Sequence, residues 1–211
     1  MMVMTEENFS NNSFQYEMPI VRVPNPPSDL SYAEYEDYRQ REILKANGIS
    51  ITEADLLNVL NNERNILQAT AAHTLGAIGS MVAISLLKTL LTSMEDLVRV
   101  EAAYALARNG VSDGRETLVE LLSYPIEAYL FPPIAAGYLA QLGDSQGYPV
   151  VVRCLESDNP AVRMVGCKQI YFFAKFQDVS PLFERALNDA DTNIQWQASV
   201  QLRSLGGRQQ S

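Results

Sequence analysis

His73 is the only histidine in a chain of 211 residues. An imidazole is the side chain whose charge changes most readily near neutral pH. Beside Tyr104 on a neighbouring helix, it has the means to pass a proton. The chain offers little else to go with it. A metal centre needs ligand partners at set spacings, and no Cys-x-x-Cys or His-x-x-x-His pattern occurs. No Gly-x-Ser-x-Gly, phosphate loop or dinucleotide fingerprint is present. "RNGVSDGRE" holds two glycines but reads as a turn between helices. The carboxylate pairs Glu34–Glu36 and Asp189–Asp191 read as helix caps and solvated loop charges rather than a desolvated acid–base pair. Cys154 and Cys167, the only cysteines, read as small buried hydrophobes, with a disulfide or a reactive thiol as the alternatives. The sequence therefore assigns no catalytic residue, no metal and no cofactor.

The elements that carry these residues repeat. "NILQATAAHTLGAIGS" from Asn65, "DLVRVEAAYALARNGVSD" from Asp96, "AYLFPPIAAGYLAQLGDSQ" from Ala128, "PAVRMVGCKQIYFFAKFQD" from Pro160 and "TNIQWQASVQLRSLGG" from Thr192 align with one another. Gly79, Gly110 and Gly143 are 31 and 33 residues apart, and Gly206 lies 63 further on, two periods. An apolar helix precedes each segment: "EADLLNVLNN", "AISLLKTLLTS", "RETLVELLSY", "YPVVVRCLES" and "VSPLFERALND". Self-similarity at this spacing marks a stacked solenoid. The fold class is all-α, an α-α superhelix of about five two-helix repeats, each with an A helix and a B helix.

Small residues recur inside the B helices. They are Ala71 and Ala72; Ala102, Ala103 and Ala105; Ala135 and Ala136; Gly166 and Cys167; Ala198 and Ser199. A helix packed on several sides needs such narrow flanks. Leu75, Leu106, Leu139, Ile170 and Leu202 recur as the large packing residue. Each terminal glycine supplies the left-handed residue that ends a helix. Repeat four lacks it, so its B helix must end differently. In repeat three Pro132 and Pro133 stand where Arg99 and Val100 stand in repeat two. Proline suits only a first turn, so that B helix starts late.

Residues 1–28 are polar, end in Pro-Asn-Pro-Pro and show no helical period, which predicts a flexible acidic arm. Residues 29–49 hold an N-terminal capping helix from about Ser31 to Ala46, with Glu34 at the capping-box position and Asn47–Gly48 as the stop. Tyr32, Tyr35 and Tyr38 share one side of it, as core cover or as an aromatic partner-binding face. Residues 50–211 form the repeat domain. Residues 1–40 carry seven acidic side chains against two basic ones, −5 of the total −9. A chain this acidic repels nucleic acid phosphates and anionic lipid. No apolar run reaches the ~20 residues of a membrane span, and the start lacks the features of a secretory signal. The expected partner is another protein and the expected location cytoplasmic.

The segments resemble HEAT repeats, specifically the short HEAT-like repeats of phycobilisome lyases. Asp96-Leu97-Val98-Arg99 with Ala102, Ala103 and Leu106, Asn159-Pro160-Ala161-Val162-Arg163, and the turn Leu142-Gly143-Asp144 carry the resemblance, which spans about residues 50–207. It implies that the Val-Arg pair opens the B helix, with Arg99 and Arg163 bound to carboxylates or carbonyls of a neighbouring turn. Gln68 and Gln195 take that slot in repeats one and five. It also implies that the B helices line a concave face.

On that face, positions spaced i, i+3, i+7 point outward. The candidate binding residues are His73, Glu101, Tyr104, Arg108, Gln141, Lys168, Phe172 and Gln197, with Gly137 as a gap. They read either as a recognition groove or as a solvated helix face. Tyr171, Phe173, Phe176 and Trp196 form a possible aromatic docking patch, unless wide burial accounts for them. The function expected is a non-catalytic adaptor that binds a partner protein along the concave face, with the arm adding contacts or covering the groove. The alternative, implied by the resemblance, is a phycobilisome-associated lyase-type or chaperone-type protein that binds a bilin or its carrier protein.

Overall fold

The computed structural model describes residues 30, 32–63, 65–128 and 130–208. The arm assigned to residues 1–28 and the cap expected at Ser31 lie outside them. The described residues contain eleven α-helices and no strand. Helix α1 (Tyr32–Ala46) precedes five helical pairs. They are α2 (Glu53–Asn62) with α3 (Asn65–Ala77), α4 (Ile84–Leu90) with α5 (Asp96–Arg108), α6 (Ser112–Leu121) with α7 (Phe131–Gln141), α8 (Tyr148–Cys154) with α9 (Pro160–Ile170), and α10 (Ser180–Ala186) with α11 (Thr192–Arg208). Successive B helices pack on one another: α3 on α5, α5 on α7, α7 on α9 and α9 on α11. This is an α-α solenoid.

The glycine stops work as a paired hydrogen-bond motif. Gly110 has φ 77°, where a Cβ would be strained. Its N–H donates to Ala107 O at 3.0 Å and the Val111 N–H reaches back to Leu106 O at 3.0 Å. This closes the orphaned carbonyls of the helix end. Gly79 and Gly143 do the same, with Leu75 and Leu139 as the acceptors. The recurrent leucine therefore has two tasks, since Leu75, Leu106 and Leu139 are also fully buried. Gly206 departs from expectation: it lies inside α11, which runs on to Arg208. Repeat four, without a glycine, ends in a 3-10 turn at Tyr171–Phe173. The two prolines of repeat three fall in the first turn of α7, which starts at Phe131.

Narrow flanks let the layers close. Ala71, Ala72, Ala102, Ala103, Ala105, Ala135, Ala136, Cys167 and Ala198 are all buried. A Cβ on Gly114 would sit 2.5 Å from the Ala107 backbone nitrogen and 2.7 Å from Leu106 Cβ. Backbone cannot yield as a flexible side chain does, so α6 rides directly on α5 there. Gly114→Ala is expected to destabilise the protein by about 2–3 kcal/mol, measured as a lowered urea midpoint at unchanged m-value.

In four of the five repeats the slot that opens the B helix ties it to a turn. Arg163 donates to both oxygens of Asp189 at 2.8 and 3.0 Å and to the carbonyls of Ser157 and Asp158. Arg99 donates to Asp96 at 2.7 Å and to Ser93 O at 3.4 Å, and its guanidinium lies over the Phe131 ring at 5.3 Å. Gln68 and Gln195 replace it with one bond each, to Leu60 O at 2.8 Å and Asp189 O at 2.7 Å. Amide and guanidinium thus answer the same need, an unpaired carbonyl at the A–B turn.

Candidate functional site

The inner row of B-helix residues does not face open solvent at its N-terminal end. Helix α1 lies on α3 and inserts Asp37. His73 Nε2 donates to Asp37 Oδ1 at 2.9 Å, and Arg108 grips both Asp37 oxygens at 2.9 Å each. On its other side, His73 Nδ1 donates to Glu101 Oε2 at 2.8 Å, and the Tyr138 hydroxyl donates to Glu101 Oε1. Tyr104 stacks on Tyr138 with ring centroids 3.8 Å apart and planes 8° from parallel, and its hydroxyl donates to Gln141 Oε1 at 3.0 Å. Four helices, α1, α3, α5 and α7, meet in this one network.

Both imidazole nitrogens of His73 face carboxylates, so both carry protons. Burial alone would depress its pKa, but the Glu101 charge and the hydrogen bonds to Asp37 and Glu101 outweigh it and hold the ring at about 9. For Asp37 burial pushes upward, but the bonds from His73 and Arg108 hold its carboxyl well below the usual range. His73 and Arg108 against Asp37 and Glu101 leave no net charge, which is what a buried polar cluster requires. Burial pushes the Tyr104 phenol up to about 12, and burial with the Glu101 charge raises Tyr138 further. An imidazolium locked between two carboxylates at pH 7 is not poised as a proton shuttle.

The predicted residues therefore divide. His73, Glu101, Tyr104, Arg108 and Gln141 come together. Of these His73, Glu101 and Tyr104 are buried, not solvent-facing as the spacing implied: Asp37 of α1 closes over His73, Glu101 lies between His73 and Tyr138, and Tyr104 stacks on Tyr138. Lys168 and Phe172 on and just after α9, and Gln197 on α11, lie further along the stack. Lys168 is half-buried, burial lowers its pKa, and it has no ion-pair partner among the described residues. Phe172 and Gln197 are buried.

The aromatic patch does not hold as a surface. Tyr171 and Phe173 are buried with Phe172, packed into the core between α7, α9 and the last repeat. Only Phe176, at 40% exposure, and Trp196, at 64%, stay outside. Cys154 and Cys167 are free, buried thiols pushed up to about 12 by burial. No cluster of metal ligands occurs among the described residues, and no described helix is long and apolar enough to cross a membrane.

Spacing alone missed Asp37, Tyr138, Gln169 and Gln201. Gln169 Oε1 and both amide atoms of Gln201 are buried without a hydrogen-bond partner. They occupy the same register as Tyr138 in the two following repeats, one residue beyond the row that was followed. A Cβ at Gly137 would run into the Gln169 amide, so the expected gap at Gly137 is filled by that side chain.

No curated protein matches the chain. A family model described as HEAT repeats matches residues 53–130, which run from α2 to the residue before α7. The match supports a HEAT-repeat family for this part of the chain, and α7–α11 continue the same stacking onto it.

Proposed function

We propose that this protein is a non-catalytic scaffold that holds a partner protein on the face formed by its B helices. HEAT repeats generally serve as protein-interaction scaffolds. The observation that carries the reading for this chain is that the face already grips a helix. Side chains from two successive layers, His73 of α3 and Arg108 of α5, converge on one residue of α1. Further along, Gln169 and Gln201 have unused hydrogen-bonding capacity and Lys168 an unpaired charge. Buried polar groups without partners are rare in native structures, and an ordered water or a bound group accounts for them where they occur.

A bilin, the alternative, would need His73, Tyr104, Arg108 and Lys168, and the first three are committed to α1, Glu101, Tyr138 and Gln141. A protein segment that follows the row from Lys168 to Val200 leaves those bonds in place, with Glu36 of α1 acting on Lys168 at its start. The scaffold reading is tested with photo-crosslinkers placed singly at the half-buried Lys168 and Val200 on this face and at Lys88 and Arg153 on the A helices, in extract of the source cells. Adducts of one defined protein from the first pair only are expected. Equal labelling from all four, or labelling from Lys88 and Arg153 alone, overturns the reading.

A further inference from the structure

Three donors of the N-terminal cluster converge on one carboxylate. The Arg108 fork presents two parallel N–H groups, and His73 Nε2 adds a third from a different helix. Such bidentate geometry selects a planar carboxylate over a simple anion. Removing Asp37 leaves the buried His73 with Glu101 as its one carboxylate and the exposed Arg108 fork without its partner. A guanidinium fork beside an imidazolium N–H keeps the geometry to take another carboxylate.

The resident helix is unevenly held. Ile43 and Leu44, near its C-terminal end, are buried, and Leu44 belongs to the core with Leu56, Leu60 and Leu75. Between Glu34 and Glu42 only Gln40 is buried. Tyr35 and Tyr38 are half-buried there, so the N-terminal turns of α1 are less deeply buried than its C-terminal end.

We infer that Arg108 and His73 form a carboxylate receptor, filled here by Asp37 of α1, and that a partner protein engages this end of the face by substituting an aspartate or glutamate on a helix of its own. This rests on the scaffold reading and names the chemistry of the partner. The groups around the receptor are Asp37 and Glu36 from α1, Glu101 and Tyr104 from α5 beside Arg108, and Tyr138 from α7. Beyond them, Glu36 pairs with Arg39 of α1 and acts on Lys168 of α9.

The only histidine of the chain makes the test direct, because one imidazole signal in the NMR spectrum reports on the receptor. Full-length protein carrying Asp37→Ala is titrated with acetate, against chloride at equal ionic strength. It is then titrated with a synthetic peptide of residues 32–46 and with the same peptide carrying Asp37→Asn. The receptor predicts that acetate and the native peptide move the His73 signal while chloride does not. The Asn peptide should bind on the order of tenfold more weakly, and Arg108→Ala added to Asp37→Ala should abolish the response. If Asp37→Ala does not fold, Asp37→Asn, which keeps the side-chain size without the charge, is titrated with the same peptides. A His73 signal indifferent to acetate and to both peptides, or equal binding of the two peptides, overturns the receptor. Crosslinks from Lys168 and Val200 would in that case still stand, so the two readings fail separately.

Discussion

Replacing His73 by alanine is expected to lower the unfolding free energy by about 3–5 kcal/mol, the usual consequence of breaking a buried charge pair from one side. The ring is 2% exposed and bonds to two carboxylates at once. Without it Glu101 keeps one partner, the Tyr138 hydroxyl, and its negative charge stays buried. Asp37 fares better because Arg108 still grips it. The damage is therefore concentrated on Glu101. For a chain of this size the fall in Tm should be about 10 °C or more. Adding Glu101→Gln to His73→Ala should recover part of the loss by removing the orphaned charge, whereas Glu101→Gln alone should destabilise. Urea denaturation of the four proteins at pH 7.5 checks this. Additive single effects would show that the two side chains are not coupled.

Stability should also fall across a defined alkaline window. The folded pKa of His73, about 9, lies above its ordinary value of 6.5. The folded state therefore holds the proton more tightly than the unfolded state. The resulting stabilisation is fully present below about pH 6.5 and fades as pH rises through about 9. The shift corresponds to roughly 3 kcal/mol at most. From about pH 8.5 other groups add to the decline with the same sign. Cys154, Cys167 and Tyr104 keep their protons to about 12 when folded, and the unfolded chain releases them earlier. Unfolding free energy measured in urea from pH 6 to 8 should decline in the wild type and stay nearly flat in His73→Gln. An equal slope in both would assign the decline to something other than the imidazole.

Much of this molecule was legible in its sequence for identifiable reasons. Leucine and glycine at fixed offsets report a helix end, and Gly79, Gly110 and Gly143 each adopt it. Pro132 and Pro133 permit only one placement of the α7 start. The arginine or glutamine that opens the B helix answers a carbonyl within its own layer, so a repeat alignment finds it. Gly206 misled because glycine is also tolerated inside a helix, where no turn follows.

The candidate site was legible only in part. Spacing put His73, Glu101 and Tyr104 on the inner face, but spacing within repeats says nothing about what covers that face. Asp37 is 36 residues from His73 and 71 from Arg108, outside any repeat. The signal that would have found it is charge: an acidic α1 against a row that begins with an imidazole and a guanidinium. Phe172 and Phe173 escaped a periodic reading because the 3-10 turn changes their direction.

Helix α1 has a consequence for how the stack comes apart. In a pile of layers that touch only their neighbours, each end can unzip without disturbing the rest. Asp37 bonds to the first and second layers, and through Glu101 the same chain of contacts reaches Tyr138 in the third. A staple of this kind joins three steps of local opening into one, so the N-terminal layers fray together or not at all. Whatever draws α1 away from them also returns those layers to independent breathing.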